Sequence, residues 1–298
     1  MQTYCRYAQS LGALEGTPEE VWGTKPYDFW EHLHEPTVFF GLYDLRDYLA
    51  LALHRGKKWV LWAGSDIRNL EAGFVFNDGR LLWLSKLLRG NWWVFPLMKG
   101  AEHWVENFTE QQSLLRLGLK SKLCPSYMGD KHAYSINFIG RNPAQVYLSA
   151  SEGRQEEYGW GRIEEIADEL PRIVFHLYGA TWDTAKPNVI CHGRVPKEQM
   201  NEEIKGMQCG LRLNESDGFS EITAKSVLWG QYPITVIPNK LIPHAENDEE
   251  LVSLLRSLTQ MWEPNYIARD YYLKKLNHYP WVCLKARKAT KTTGERGR

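Results

Sequence analysis

The sequence predicts an α/β protein of two domains, each built on a largely parallel sheet. Three observations predict it. In both halves, short apolar runs rich in β-branched and aromatic residues alternate with stretches of helical periodicity across brief links. The length, 298 residues, suffices for two separate cores. Between the halves, residues 118–131 carry Pro125, Gly129 and little periodicity, which places a boundary there. The domains expected are 1–133, 134–264, and a closing segment 265–298 whose helix packs back on the first domain before a basic tail.

Each element follows from its residues. The first 35 or so positions are irregular by pattern. Pro36–Gly41 reads as a buried strand, Asp44–His54 as a helix with Leu45, Tyr48, Leu49 and Ala52 on one face, and Lys58–Gly64 as the next strand. Leu81–Leu88 (helix), Trp92–Phe95 (strand) and Glu110–Leu117 (helix) continue the alternation. In the second half, strand Val146–Ala150 leads to helix Arg162–Leu170 and strand Ile173–Tyr178. Strand Val189–Gly193 and helix Lys197–Gly206 follow. Strand Cys209–Leu213, the helix from Glu221 to Gly230, strand Tyr232–Ile237, and helices Glu249–Trp262 and Asn265–Leu276 complete the pattern.

Composition narrows the function classes. Lys plus Arg equals Asp plus Glu at 36 each, so no global field draws the chain to nucleic acid. The five cysteines lack paired spacing, which points to a reducing compartment and away from a zinc site. The N-terminus has no apolar leader core, and no run approaches the ~18 apolar residues a bilayer span requires. These features predict a soluble, cytoplasmic protein. The last 14 residues carry six Lys or Arg and one Glu. That tail, and the apolar, basic stretch Arg80–Arg89 with Trp92-Trp93, read either as solvated or core segments or as a peripheral membrane contact.

The most informative stretch is Asn214-Glu215-Ser216-Asp217-Gly218-Phe219-Ser220, between a buried strand and a helix. A tight turn there presents N–H groups of residues 218–220 at a helix N-terminus, a ready phosphate cradle. Asp217 beside it can accept hydrogen bonds from sugar hydroxyls. The pairing points to a nucleotide sugar.

Residues 140–240 resemble the GT-B glycosyltransferases of the group-1 type. The resemblance rests on Arg154, Tyr178-Gly179, Asn188-Val189-Ile190-Cys191-His192-Gly193-Arg194-Val195-Pro196, Asp217-Gly218-Phe219-Ser220 and Gly230, in that order. It implies two Rossmann-like domains facing a central cleft and a retaining transfer from a nucleotide-diphosphate sugar. The chain departs from the pattern at three places. The first acid is Asp217 rather than Glu. The second, which holds the ribose in the family, falls at Lys225, leaving Glu221 one turn earlier as the nearest substitute. The family's Lys is replaced by Tyr158, with Arg162 close by. Glu221 and Lys225 also read as an exposed i,i+4 ion pair.

No Asp-x-Asp pair occurs, so charge on the leaving diphosphate is expected to be neutralised by cationic side chains rather than a metal ion. Arg154 is the expected diphosphate ligand. In the first domain Gly41 permits close backbone approach to a ligand. Asp66 reads as a base toward the acceptor or as a helix cap. His103, expected on a strand edge, is a second base candidate. The predicted activity is a metal-independent transfer onto a glycan or lipid-linked acceptor, with no cofactor beyond the donor. The alternatives are a sugar-nucleotide epimerase or phosphorylase on the same fold, or a non-catalytic sugar-nucleotide-binding subunit.

Overall fold

The computed structural model describes residues 2–8, 16–72 and 97–282. The segments Leu81–Leu88 and Trp92–Phe95 and the basic tail lie outside them. The chain divides into two compact units, one running to Asp130 and resuming at Leu276, the other Lys131–Lys275.

In the first unit the described residues form six parallel strands in the order β2-β1-β3-β4-β5-β6. They are β1 (Tyr4–Tyr7), β2 (Lys25–Pro26), β3 (Thr37–Phe40), β4 (Lys58–Leu61), β5 (Glu102–Val105) and β6 (Ser121–Leu123). β1 and β2 fall where the sequence shows no pattern. Strands of four and two residues are too short to declare a period. The helices are α1 (Pro18–Trp22), α2 (Leu45–Leu53), α3 (Ser65–Glu71) and α4 (Phe108–Arg116). α2 starts in a capping box, Asp44 and Asp47 each accepting the other's backbone N–H. Asp47 also takes the Arg6 guanidinium at 2.6 Å, which ties α2 to β1.

Adjacent residues of β3 and β4 point to opposite faces and are buried on both. Phe39 and Val60 join Leu42, Tyr48, Leu51 and Leu70 on one side. Val38, Phe40, Trp59 and Leu61 join Trp22, Tyr279 and Trp281 on the other.

The second unit is a five-stranded parallel sheet, β11-β10-β7-β8-β9. Its strands are β7 (Ala144–Ser149), β8 (Ile173–Tyr178), β9 (Val189–Gly193), β10 (Cys209–Arg212) and β11 (Ile234–Thr235). β11 starts later than the expected Tyr232–Ile237 because Pro233 has no N–H to give the ladder. The helices are α5 (Trp160–Ile166), α6 (Lys197–Ile204), α7 (Glu221–Leu228), α8 (Asp248–Leu258) and α9 (Tyr266–Lys275). One face packs Val146, Leu148, Phe175, Leu177 and Leu211 against Trp160, Leu251 and Leu255. The other packs Tyr147 and Tyr178 against Ile204, Met207 and Trp229.

The closing helix differs from expectation. α9 belongs to the second unit, where Tyr272 stacks on Phe219 with ring centroids 5.0 Å apart. Only the residues after it return to the first unit. There Asn277 accepts from the Tyr127 N–H at 3.0 Å, and the rings of Tyr279 and Trp281 stack at 4.4 Å. No helix among the described residues is long and apolar enough to cross a membrane.

Candidate functional site

In the second unit the carboxyl ends of β7, β8 and β10 open into a cavity of about 700 Å³. Open parallel sheets bind ligands at this edge, where strand ends expose backbone groups and helix N-termini converge. Ser149, Glu152 and Tyr158 line it from the β7–α5 connection, and Gly179 from the end of β8. Arg194 lines it from the link after β9, and Lys197 and Asn201 from α6. Arg212, Asp217, Ser220, Glu221 and Lys225 close it from β10, the turn and α7.

Gly179 is required here. Its φ is +96°, and a Cβ would sit 2.4 Å from the Ala150 carbonyl oxygen. The turn before α7 is held at both ends. Ser220 caps the helix, its Oγ accepting from the Thr223 N–H at 3.1 Å. Phe219 is buried against Tyr272, and so anchors the turn instead of facing a ligand. The expected cradle at 218–220 is partly spent, because the Gly218 N–H donates to Asp217 Oδ1 at 3.0 Å. Gly218 lines a small neighbouring recess, not this cavity.

The acids of the cavity are engaged. Arg212 Nε donates to Asp217 Oδ2 at 2.5 Å. Its guanidinium lies over the Tyr158 ring, 4.2 Å from the centroid, with 14% of the side chain exposed. Lys225 reaches Glu221 Oε1 at 2.7 Å and Asn201 Oδ1 at 2.9 Å, and Lys197 reaches the same Glu221 oxygen at 3.0 Å. The expected i,i+4 pair is therefore present, but its lysine end is buried, with 4% exposure. Glu152 accepts from the Thr181 N–H at 3.1 Å, and this hydrogen bond holds its carboxyl below the usual range. Arg194 is exposed and has no hydrogen bond or ion pair among the described residues.

Five sequence-predicted residues thus meet at one cavity: Asp217, Ser220, Glu221, Lys225 and Gly179. The others fall elsewhere. Arg154 does not line it. Its guanidinium forks onto Glu157 at 2.7 and 2.5 Å, 5.0 Å from the Tyr158 ring centroid. Arg162 is bound to Asp248 at 2.5 Å and lines a separate recess with Glu215 and Asn247.

Gly41 is in the first unit, with φ +78° and its N–H on the Leu61 carbonyl at 2.9 Å. Asp66 is in that unit too, and fully buried. Its carboxylate accepts from the N–H groups of Leu42 (3.0 Å), Ala63 (3.0 Å) and Ile67 (2.9 Å). Burial pushes it up to about 7 against those hydrogen bonds. Enclosed in this way, it fastens the ends of β3 and β4 and presents no face to an acceptor. His103 lies on a strand paired on both sides, so it is interior rather than at an edge. It accepts from Trp62 Nε1 at 3.2 Å, and burial lowers it to about 4.

The sequence reading missed Arg212 and Arg194 as cavity cations. The only local signal was their position, at or just beyond a strand's carboxyl end. No cluster of three or more His, Cys, Asp or Glu suited to a metal ion occurs among the described residues.

No family model matches the chain, and no curated protein matches it in sequence. Solved structures do match in fold. A sucrose-phosphate synthase from Thermosynechococcus elongatus shares 10% identity over 87% of this chain and 73% of that one, with a TM-score of 0.55. OtsA in its apo form shares 9% over 84% and 72%, with a TM-score of 0.54. A TarM variant solved with fondaparinux, α-GlcNAc-glycerol and UDP shares 10% over 87% and 55%, with a TM-score of 0.52. The chain spans 58% of the length of the pneumococcal O-GlcNAc transferase GtfA. At these identities the likeness is one of fold: two parallel α/β sheets, as in the GT-B glycosyltransferases.

Proposed function

We propose that this chain, with the fold of the GT-B glycosyltransferases, is itself a metal-independent glycosyltransferase. It would move a sugar from a nucleotide-diphosphate sugar to a glycan or lipid-linked acceptor, with retention at the anomeric carbon. The observation that carries the reading is the cavity at the strand ends of the second unit, where Asp217 and a set of cations share one space. Cations there would neutralise the charge that develops on the leaving diphosphate, and Asp217 would accept from sugar hydroxyls. The TarM structure was solved with UDP, which supports a nucleotide ligand for a fold of this kind. Retention is supported by the motif resemblance alone.

A second reading is favoured by one observation. Lys225, where the resemblance calls for an acid, is buried and committed to Glu221 and Asn201. A lysine cannot accept from ribose hydroxyls. That suits a subunit that binds sugar nucleotide weakly and does not turn it over.

A thermal-shift panel of UDP-, GDP-, ADP- and dTDP-sugars, followed by donor hydrolysis and transfer assays, separates the two. A ligand at about 100 times its dissociation constant adds about 2.7 kcal/mol of stability. Stabilisation with turnover supports the transferase, and stabilisation without turnover the binding subunit. No shift with any donor refutes both.

A further inference from the structure

We propose that Arg212, not Arg154, grips the diphosphate of the donor, and that the same guanidinium holds Asp217 in register with the sugar. The proposal rests on the nucleotide-sugar reading above and says which residue couples the two halves of that ligand.

The argument begins with unspent donors. A guanidinium carries five N–H groups in a rigid fork. The described residues take one from Arg212, its Nε, bonded to Asp217 Oδ2 at 2.5 Å. The side chain is mostly buried, stacked 4.2 Å from the Tyr158 ring centroid, and it lines the cavity. The remaining donors are not sealed in protein but open to the cavity that the side chain lines, where a ligand can take them. A planar fork already fixed on an aromatic face suits the paired oxygens of a phosphate, and little side-chain freedom remains to be lost on binding.

Arg154 offers the reverse. Its Nε and Nη2 are both committed to Glu157, and its side chain is 49% exposed, away from the cavity wall. Lys197 and Lys225 are engaged by Glu221. Arg194, with no partner among the described residues, is the second cation free to meet the same anion.

The two contacts of Arg212 are linked through one rigid group. Its Nη donors meet the phosphates while Nε keeps the Asp217 carboxylate where a sugar hydroxyl would approach. Arg212 is thus a ligand of the diphosphate and a positioning residue for Asp217.

Calorimetric titration of the purified full chain with inorganic pyrophosphate, UDP and uridine tests this. The variants are Arg212→Gln, Arg212→Lys, Arg194→Gln and Arg154→Gln, each checked for native melting. Loss of a charge-assisted contact should weaken pyrophosphate and UDP by ~10–100-fold in Arg212→Gln. Arg212→Lys keeps the charge but not the fork and should fall between. Arg154→Gln should change either by less than ~3-fold. Uridine has no phosphate and should bind Arg212→Gln and wild type alike, which a merely structural loss would not allow.

Equal pyrophosphate and UDP affinity in wild type, Arg212→Gln and Arg212→Lys overturns the assignment while leaving the function standing. So does a loss in Arg154→Gln as large as in Arg212→Gln. A wild-type chain that binds neither pyrophosphate nor any nucleoside diphosphate overturns the functional reading, and this assignment with it.

Discussion

Asp66 should make the first unit's stability fall as pH rises, alongside Glu110, whose carboxyl is raised by burial and then by the Glu106 and Asp66 carboxylates. Asp66→Asn tests the share that depends on Asp66. Asp66 is wholly buried, and burial raises it from an ordinary value of 3.8 to about 7 although three neighbouring N–H groups donate to it. Between those values the folded chain holds a proton the unfolded chain has lost. Folding then takes up a proton, and stability falls as pH rises. Over about three pH units, at ~1.36 kcal/mol each, the loss approaches ~4 kcal/mol.

His54 and His103 act in the opposite sense. Burial lowers both to about 4, so the unfolded chain keeps their protons up to about 6.5 and stability rises with pH across that range. The wild-type profile alone therefore mixes opposing slopes. The difference between wild type and Asp66→Asn removes the histidines. The amide adds an offset of its own, because its N–H₂ faces a backbone N–H, but that offset does not vary with pH. Urea unfolding at intervals from pH 4 to 8 should show wild type losing ~4 kcal/mol relative to the variant by about pH 7.5, then levelling. A difference that stays flat refutes burial as the dominant influence on this group.

The other predictions concern the cavity and the chain's return to the first unit. Glu221→Ala leaves the buried Lys225 without its carboxylate and should cost ~1–3 kcal/mol, discounted because Glu221 is 40% exposed; Lys225→Met removes the charge along with its desolvation and should cost less than ~1 kcal/mol. Urea midpoints in the reverse order would contradict this account of the pair. Gly179→Ala forces a Cβ against the Ala150 carbonyl at a left-handed φ, and should lower the melting free energy by ~2–3 kcal/mol and weaken nucleotide binding at the same strand end. Trp281→Ala empties a site 2% exposed, packed against Tyr279, Trp22 and Trp59, and should cost ~3–5 kcal/mol in chemical denaturation. A cost under ~1 kcal/mol would mean the segment after Leu276 does not complete that core.

What could be read from sequence follows the range of the interactions involved. Thr37–Phe40 and Ile173–Tyr178 were legible because apolar runs bounded by Pro or Gly announce buried strands. The start of the helix at Glu221 was legible from the acidic-glycine turn before it, whereas the sequence reading gave Ser220 a phosphate-binding N–H and not the cap it provides. Arg154 offered a local warning that went unread, a glutamate three residues on that now holds it. Long-range facts were not legible. Lys225 is buried because α6 brings Asn201, 24 residues earlier in the chain, onto its ammonium. Arg212 reads in sequence as the polar end of a core strand. Its role emerges only when the β7–α5 connection lays Tyr158 beneath it, 54 residues before. Asp66 looks like a cap or a base, and only the closure of the β3 end by the Leu42 N–H makes it interior.

The distribution of charge in the cavity also bears on how it would bind. Asp217 is held by Arg212, Glu221 by two lysines, and Glu152 by the Thr181 N–H. Fixing these groups in advance places the desolvation and ordering costs in folding rather than in binding, which is how preorganised sites gain affinity. A cavity with every acid engaged and Arg194 uncommitted presents a net attraction to anions without a mobile carboxylate to compete for its cations. The Arg212–Asp217 pair does more than neutralise. Because Arg212 spends only Nε on the acid, an incoming phosphate could use the remaining donors without breaking the pair, and under the proposed function phosphate and sugar contacts would reinforce each other. Were Asp217 joined through both Nη atoms instead, phosphate binding would have to release it, and the two contacts would oppose one another.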